Sequence, residues 1–520
     1  MKRPNIILIT TDQQRWDTLG VYGNPVIHTP NMDRLAREGV VFQQAITPCP
    51  LCLPARSCLM TGLPASRLGT LENCAPREVD NRATIAGILG KNGYFSQAIG
   101  KMHFSNTPYA ESYGMDNMVL SEETRGFRLA SEPSGIVLDD YDRFLIDRHL
   151  WGWDKPPEIG YNEIKPLVNY LPREAHVTQW CGDVTVDWLH RHRPLDRPFF
   201  LWSSFVKPHV PYDCPQHLAG MYGEMILPEP WVSDTDGTIG NPLFDNYRIG
   251  KEFNLYSKEA NQQARANYYA NITFIDEQVG RILKAVEEED LADSTLVIFT
   301  SDHGDLMGDH GLWYKNFGYE GSLHIPLLMR WPMELVPGTR CDEMVSLLDI
   351  LPTVLAATRI ESPVPDRPGK NLLEMARGKT QCSGVFSEIL FPPNYMCHFR
   401  TKEWKYLFYQ NGGYEQLFHL TDDPHELVDL ARDPSFSNQL ADMRRQSEQW
   451  IARYGDGRYS LDTQGRLRSE PYGQTHESCH RPFSRMPWDS RIPPVVLPEN
   501  VRGPVWRGQV SDWSFLIPEI

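Results

Sequence analysis

The sequence predicts an α/β protein, with a large sheet flanked by helices and a smaller C-terminal domain built around an antiparallel sheet. Short apolar runs bounded by polar loops alternate with amphipathic helical patterns through roughly the first two thirds of the chain, which is typical of βαβ units. From about residue 380 the pattern changes to short aromatic-rich runs. We therefore expect a larger domain over residues 1–380 and a smaller α+β domain over residues 381–520.

Four apolar runs are the clearest candidates for buried strands, because each is short and bounded by polar residues. They are Asn5–Thr11, Tyr94–Ile99, Phe199–Phe205 and Thr295–Thr300. A helix is predicted to begin at Thr29 and Pro30, a cap followed by a first-turn proline, and to end at Gly39. Apolar residues at helical spacing predict a second helix over Gln262–Glu289.

The C-terminal part contains two aromatic-rich runs, Met396–Arg400 and Trp404–Tyr409, followed by a glycine turn, which predicts an antiparallel sheet. A helical pattern is predicted over Leu427–Arg445. Residues 456–520 are rich in Pro, Arg and Trp with weak periodicity. We expect this tail to pack on the body or on a partner subunit, since its tryptophans would otherwise expose much apolar surface. A homo-oligomer is compatible with that expectation.

Composition excludes several classes of protein. Lys and Arg total 51 against 67 Asp and Glu, a formal net charge of −16, which argues against a nucleic-acid partner. The apolar runs are far shorter than the ~20 residues of a membrane helix, so no membrane partner is expected. The ten cysteines lack regular spacing, and the apolar run after Met1 is too short for a signal peptide. Both features favour a cytoplasmic location. A periplasmic protein whose export signal has been removed would begin with a similar sequence, so the periplasm is the alternative.

Polar side chains follow each of the four predicted strands. They are Asp12 and Gln13, Lys101 and His103, Lys207 and His209, and Asp302 and His303. Because ligands bind at the carboxyl ends of strands in open α/β sheets, we expect one pocket to collect them. Oxygen donors from Asp12, Gln13 and Asp302 suit a Ca²⁺-like or Mn²⁺-like ion, and His303 shifts the preference toward a transition metal.

The remaining polar groups predict anion binding and proton transfer. Lys101, Lys207, Lys315 and Arg56 supply positive charge that the acidic chain otherwise lacks. His103 and His209 titrate near neutral pH and can act as acid or base.

A fifth segment, Cys52–Gly62, points to a nucleophile. Its Pro54 fits only an early helical position, which places Cys52 at a helix N-terminus. The helix dipole there lowers the pKa of a thiol and attracts anions. From these residues alone, Cys52 is either an activated cysteine or a buried structural one beside Cys49 and Cys58.

The pattern Cys-x-Pro-x-Arg followed by Thr-Gly resembles the maturation signature of the type I, formylglycine-dependent sulfatases of the alkaline phosphatase-like superfamily. The similarity covers about residues 4–435 and runs through further motifs in the order of that family. They are Asn5–Asp12, Thr29–Leu35, Gly100–His103, Lys207–Pro211, Ser301–Asp305 and Tyr319–Ser322. The resemblance implies an alkaline phosphatase-like large mixed sheet and a sulfuric ester hydrolase, with residues 1–380 as the catalytic domain.

The resemblance also implies that a maturation enzyme oxidises Cys52 to formylglycine, whose hydrate attacks the sulfur of a sulfate monoester. One divalent metal, Ca²⁺ foremost and Mn²⁺ second, would be bound by Asp12, Gln13, Asp302, His303 and the converted Cys52. Arg56 would hold the hydrate, and Lys101, Lys315 and Asn73 would contact the sulfate. His209 would protonate the leaving alcohol, and His103 would deprotonate the second hydroxyl. The substrate is then an aryl, carbohydrate or small-alcohol sulfate.

Two departures from the commonest family pattern leave alternatives open. Gln13 and His303 resemble the phosphonate monoester hydrolase and choline sulfatase branches, whereas Lys101 and His103 are typical of sulfate-ester hydrolases. A phosphonate monoester or phosphodiester hydrolase using the same formylglycine is therefore one alternative, and an inactive protein that binds sulfated ligands is another. Choline sulfate would need an aromatic cage, for which the sequence offers Trp151, Trp153, Tyr212 and Trp313.

Overall fold

The computed structural model describes residues 3–73, 79–105, 108–122, 138–151, 166–233, 257–363, 366–391 and 394–471. Its strands are β1 (Asn5–Asp12), β2 (Val40–Ile46), β3 (Phe95–Gly100), β4 (Asn117–Leu120), β5 (Leu167–Val168), β6 (Phe199–Pro208), β7 (Asp213–Cys214), β8 (Thr295–Ser301), β9 (Leu327–Arg330), β10 (Thr339–Ser346), β11 (Val385–Phe391), β12 (Asn394–Arg400), β13 (Trp404–Tyr409) and β14 (Tyr414–His419). Its α-helices are α1 (Pro30–Arg37), α2 (Cys52–Thr61), α3 (Ala65–Leu68), α4 (Ile85–Lys91), α5 (Asp140–Asp147), α6 (Val177–Asp187), α7 (Lys258–Glu288), α8 (Glu320–Leu323), α9 (Ile350–Thr358), α10 (Leu372–Ala376) and α11 (Ser437–Tyr454).

The large sheet is mixed and has the strand order β10-β2-β9-β8-β1-β6-β3-β4. The four strands predicted from sequence, β1, β3, β6 and β8, are neighbours at its centre and run parallel to one another. Their carboxyl ends therefore meet at one edge of the sheet. Only β9 runs antiparallel, against both β2 and β8.

Both faces of the large sheet are covered, as its apolar central strands predict. Ile7 and Ile9 of β1 pack in one core cluster with residues of α1, α6 and α7. Ile6 and Leu8, which alternate with them, pack in a second cluster with residues of α2, α4 and α9. The predicted helices after Thr29 and around Gln262–Glu289 correspond to α1 and α7.

The C-terminal part forms the predicted antiparallel sheet, in the order β11-β12-β13-β14. The helical pattern predicted over Leu427–Arg445 was misplaced, because the helix α11 begins at Ser437 and ends at Tyr454. Its Met443 and Ile451 pack in the same core cluster as the small sheet. The tail predicted to pack on the body or a partner lies outside the described residues beyond position 471. Among the described residues, no helix is long and apolar enough to cross a membrane.

A buried ionic cluster connects the helix α8 to the small sheet. Glu320, at the start of α8, lies 3.0 Å from Arg400 Nε and 3.0 Å from Lys405 Nζ of the small sheet. Lys405 Nζ also lies 2.7 Å from a carboxylate oxygen of Glu426. Burial alone would raise the pKa of Glu320, but Arg400 and Lys405 outweigh it and hold that pKa well below its usual range.

We expect Lys405→Met to lower the free energy of unfolding by ~3–5 kcal/mol, because it leaves buried carboxylates without one of their cations. Lys402→Met is the matched control, since Lys402 is 48% exposed in its pair with Glu343 and such surface pairs contribute ~0–1 kcal/mol. Chemical denaturation of both variants measures the difference. Equal losses in the two variants would contradict a stabilising role for the buried cluster.

Candidate active site

The helix α2 begins at Cys52, as the position of Pro54 predicted. Leu51 precedes it in an extended conformation, and Pro54 lies in the first turn, where its missing N–H is no loss. The Leu53 amide donates to Asn73 Oδ1 at 3.2 Å, which satisfies one of the unpaired amides at the helix start. Asn73 is itself exposed, at the beginning of the helix that carries Cys52.

The thiol of Cys52 lies among charged and polar groups from three other segments. Its Sγ is 3.1 Å from Lys315 Nζ, 3.2 Å from His303 Nε2 and 3.6 Å from Asp12 Oδ1. Cys52 is only 1% exposed, so these contacts are shielded from water. The structure therefore brings the predicted nucleophile to the predicted metal ligands.

These neighbours change the acidity of the thiol. Burial opposes ionisation, but Lys315, Lys101 and His303 outweigh it and hold the pKa of Cys52 well below its ordinary value. Burial instead raises the pKa of the nearby Cys49 and Cys58 thiols well above the ordinary value. The opposite directions of these pKa shifts favour the interpretation of Cys52 as an activated cysteine.

Four side chains form a group suited to a metal ion. One ligand atom each from Asp12, Cys52, Asp302 and His303 can be chosen so that all lie within 4.8 Å of one another, and all four residues are buried. The His303 Nδ1 lies 2.9 Å from the Gly304 carbonyl, which leaves Nε2 for the group centre. Two carboxylates and one imidazole fit a divalent cation that prefers oxygen.

Gln13, the fifth predicted ligand, lies beside this group. Its Oε1 accepts from Lys315 Nζ at 2.8 Å, and its backbone amide donates to Asp302 Oδ1 at 3.1 Å. Gln13 has a positive φ of 68°, which turns the chain directly after β1.

Arg56 is fully buried and binds the carboxylates of the group. Its Nε donates to Asp302 Oδ2 at 2.9 Å and its Nη2 to Asp12 Oδ2 at 3.3 Å. The Nη1 donates to Ser204 Oγ at 2.8 Å and to the Lys101 carbonyl. The resemblance implied that Arg56 holds the hydrate, and the structure shows that it binds two of the predicted metal ligands, Asp12 and Asp302.

The segment after β3 brings Lys101 and His103 to the same place. Lys101 Nζ lies 2.6 Å from Asp12 Oδ2, and both side chains are fully buried. His103 forms a hydrogen bond with the Cys52 thiol and is 8% exposed. Burial and Cys52 tend to raise the pKa of Asp12, but cations including Lys101 lower it, so the carboxylate is ionised.

The segment after β6 contributes His209 but not Lys207. His209 is buried and lies close enough to Asp12 to stabilise its carboxylate. The His209 Nδ1 lies 2.8 Å from the backbone carbonyl oxygen of Val210, the next residue. Lys207 instead binds the Asp213 carboxylate and the Pro211 carbonyl. The prediction that Lys207 supplies charge for an anion was therefore wrong, because a local carboxylate already neutralises it.

Two buried carboxylates that support the site were missed by the sequence reasoning. Glu122 accepts from the amide of His103 at 2.9 Å, and Asp305 Oδ2 accepts from Gln13 Nε2 at 2.6 Å. Asp305 lay inside the Ser301–Asp305 motif, which was the available signal. Glu122 follows β4 by two residues, and no motif marked it.

The described aromatic residues considered for a choline cage are buried or hydrogen-bonded to other side chains. Tyr212 is fully buried and donates its hydroxyl to Asp305 Oδ2, and Trp313 is 3% exposed. Trp151 Nε1 donates to Asp142 Oδ1 at 3.1 Å. Trp153 lies outside the described residues. These contacts assign Tyr212 a structural position under the site.

The large mixed sheet flanked by helices, together with the small antiparallel sheet, is an alkaline phosphatase-like fold, which confirms the predicted fold class. The sequence model of the sulfatase family matches residues 4–360, and that of the C-terminal domain of N-sulphoglucosamine sulphohydrolase matches residues 308–453. The chain belongs to the sulfatase family and is a sulfuric ester hydrolase, which confirms the predicted class.

Named relatives agree with this assignment, and a solved structure agrees with the fold. The chain is 34% identical over 470 residues to an arylsulfatase of Clostridium perfringens, covering 85% of this chain and 93% of that protein. It is 29% identical over 442 residues to a choline-sulfatase of Rhizobium meliloti, covering 83% of each. The crystal structure of a phosphonate monoester hydrolase of Agrobacterium radiobacter superposes with a TM-score of 0.72 at 23% identity, covering 90% of this chain and all of that one.

The lowered pKa of Cys52 predicts a measurable thiolate in protein whose cysteine has not been converted. A thiol with a lowered pKa loses its proton at lower pH, so its ultraviolet thiolate absorbance should appear at a lower pH than that of an ordinary thiol. Subtracting the titration of Cys52→Ala from that of the wild-type chain isolates this group. Cys58→Ala is the control, because its raised pKa places the corresponding difference at alkaline pH. A Cys52 difference that appears only at alkaline pH would contradict the prediction.

Proposed function

We propose that this sulfatase hydrolyses a sulfate monoester with a formylglycine formed from Cys52, beside one divalent cation. The position of the Cys52 Sγ is the observation that supports this most directly. It lies at a helix N-terminus, 3.1 Å from Lys315 Nζ and 3.2 Å from His303 Nε2, next to the ligand group. The formylglycine hydrate would supply the attacking hydroxyl at this place.

Asp12, Gln13, Asp302 and His303 are the residues that would hold the cation. Three of their donor side chains present oxygen, which favours Ca²⁺, and the one imidazole is compatible with Mn²⁺. When bound, the cation supplies Lewis acidity and favours the ionised form of a coordinated hydroxyl.

The charges of the cluster explain how an acidic chain attracts an anion. Counted formally, with both carboxylates and the thiol ionised, the cluster has three anions and three cations before conversion: Asp12, Asp302 and Cys52, with Arg56, Lys101 and Lys315. Conversion removes the thiolate charge, and a divalent cation adds two positive charges. The formal balance thus moves from zero to about +3, in a buried place where charges interact strongly.

Lys101 and Lys315 are the groups that we expect to contact the sulfate oxygens. Both are buried next to Asp12 or Cys52, so their charge acts at short range on the reacting sulfur. Fixed cations of this kind stabilise the charge that develops in the transition state without reorganising. Asn73 is exposed and contacts the first turn of α2 through the Leu53 amide, and its side-chain amide would add a further contact to the sulfate.

The two histidines would manage the protons that the reaction moves. The leaving alcohol must gain one proton, and His209, whose Nδ1 is bonded to the Val210 carbonyl, would donate it from Nε2. The second hydroxyl of the hydrate must lose a proton to release sulfate and restore the aldehyde. His103, already hydrogen-bonded at Cys52, would accept that proton.

Conversion of Cys52 requires a maturation enzyme as partner. At 1% exposure the side chain is too buried for the active site of a second protein to reach it in the folded chain. The maturation enzyme would therefore act on this segment before α2 packs against the sheet.

A second candidate function is hydrolysis of phosphonate monoesters or phosphodiesters with the same nucleophile. Gln13 and His303 are compatible with it, since His303 belongs to the ligand group, Gln13 lies beside it, and both resemble the phosphonate monoester hydrolase branch as well as the choline sulfatase branch. Lys101 and His103 favour sulfate, and both lie at the nucleophile. We give sulfate precedence because these two residues act on the transferred group rather than on the cation.

A pair of substrates tests this choice. On one preparation, with Cys52 conversion measured by peptide mass spectrometry, we expect a higher kcat/KM for 4-nitrophenyl sulfate than for the 4-nitrophenyl ester of phenylphosphonate. Cys52→Ala should hydrolyse neither, because it cannot be converted. A preference for the phosphonate would overturn the sulfate assignment, and full activity of Cys52→Ala would overturn the nucleophile.

Replacing Lys315 tests the electrostatic role. We expect Lys315→Ala to lower the rate by at least ~10²–10³, the usual effect of losing one preorganised stabilising group. Lys284→Ala is the control, because Lys284 is 73% exposed on α7 and should leave the rate unchanged. Unchanged kinetics of Lys315→Ala would remove this residue from the site.

A further inference from the structure

The carboxamide of Gln13 has one freedom that the rest of the residue lacks. Its backbone is held at both polar atoms, since the amide donates to Asp302 Oδ1 at 3.1 Å and the carbonyl accepts from Tyr268 Oη at 2.6 Å. The side-chain amide, by contrast, can rotate by half a turn and exchange oxygen for nitrogen with little change in shape. Only one of these two orientations offers a lone pair to a cation.

Two charged groups determine which orientation is present. Lys315 can only donate, and it lies 2.8 Å from Gln13 Oε1. Asp305 lies on the other side, and its Oδ2 accepts from Gln13 Nε2 at 2.6 Å. The amide nitrogen is therefore directed at Asp305 and the oxygen at Lys315, whose Nζ lies 3.1 Å from Cys52 Sγ of the ligand group.

Asp305 is itself fixed as an acceptor at both oxygens. Its Oδ1 accepts from the Met307 amide at 2.9 Å, and its Oδ2 also accepts from the Tyr212 hydroxyl. The residue is fully buried, so water does not compete for these bonds.

We propose that Asp305 is a positioning residue for the metal site, which acts by holding the Gln13 carboxamide with its oxygen toward the cation. This inference rests on the proposed function, because it takes Gln13 as a ligand of that cation. Lys315 shares Oε1 with the cation once it is bound, whereas Asp305 keeps Nε2 away from it. Groups that orient a metal ligand in this way typically affect metal affinity by ~10–100-fold.

Asp305→Asn is the most informative variant because it keeps the shape of the side chain. All three neighbours of Asp305 are donors, so an asparagine must turn its NH₂ group toward at least one of them. If the NH₂ faces Gln13, the Gln13 amide is driven to present its nitrogen to the cation. Asp305→Ala removes the acceptor altogether.

Titration calorimetry of the metal-free chain with Ca²⁺ and with Mn²⁺ tests the proposal. We expect Asp305→Asn and Asp305→Ala to weaken metal binding by ~10–100-fold relative to wild type. In a Gln13→Ala background the same substitutions should have no further effect on metal binding, since the ligand through which Asp305 acts is gone. Thermal unfolding of each variant identifies any that does not fold. If Asp305→Ala does not fold, the metal affinity of the isosteric Asp305→Asn is compared with that of wild type.

Three results would overturn the proposal, and they can be told apart. Unchanged metal affinity in Asp305→Asn, with normal binding by the wild-type chain, would reject the role of Asp305 alone. An equal loss with and without Gln13 would show that Asp305 acts through the general fold rather than through this ligand. No binding of either metal by the wild-type chain would reject the proposed metal site and this inference with it.

Discussion

Mutual neutralisation of buried charges at one sheet edge is the constraint on which the rest of the site depends. Asp12 is the last residue of β1 and Asp302 directly follows β8, and both are almost completely buried. A buried carboxylate without a neighbouring cation would be strongly destabilising. Arg56 bonds both of them, and Lys101 bonds Asp12. The cations are thus required for the fold of this edge before any substrate is considered.

The site also contains residues that hold other site residues in position. Arg56 and Asp305 do not touch the Cys52 thiol in the contacts above, yet each binds a side chain of the proposed metal site. Glu122 holds the turn of His103 in the same way, through its backbone amide. Because each ligand has a fixed partner, the ligand group is preorganised, which lowers the cost of binding a cation.

The small sheet contributes to the site indirectly. Glu320 of α8 is bonded to Arg400 and Lys405, and α8 follows closely on the segment that carries Lys315. The ionic cluster therefore fixes the end of the loop whose lysine reaches Cys52. Sequence reasoning located the strands Asn394–Arg400 and Trp404–Tyr409 in outline but gave no indication of this contact.

The sequence by itself determined the four parallel strands, the polar residues at their ends and the helix that begins at Cys52. Each follows from local rules: strand length, apolar burial and the place of Pro54 in a first turn. Tertiary structure decided which charges meet. Lys207 is neutralised by Asp213, whereas Gln13 is oriented by Asp305, 292 positions along the chain. The pairing of Gln13 with Asp305 depends on β1 and β8 lying side by side, and that arrangement arises only when the sheet assembles.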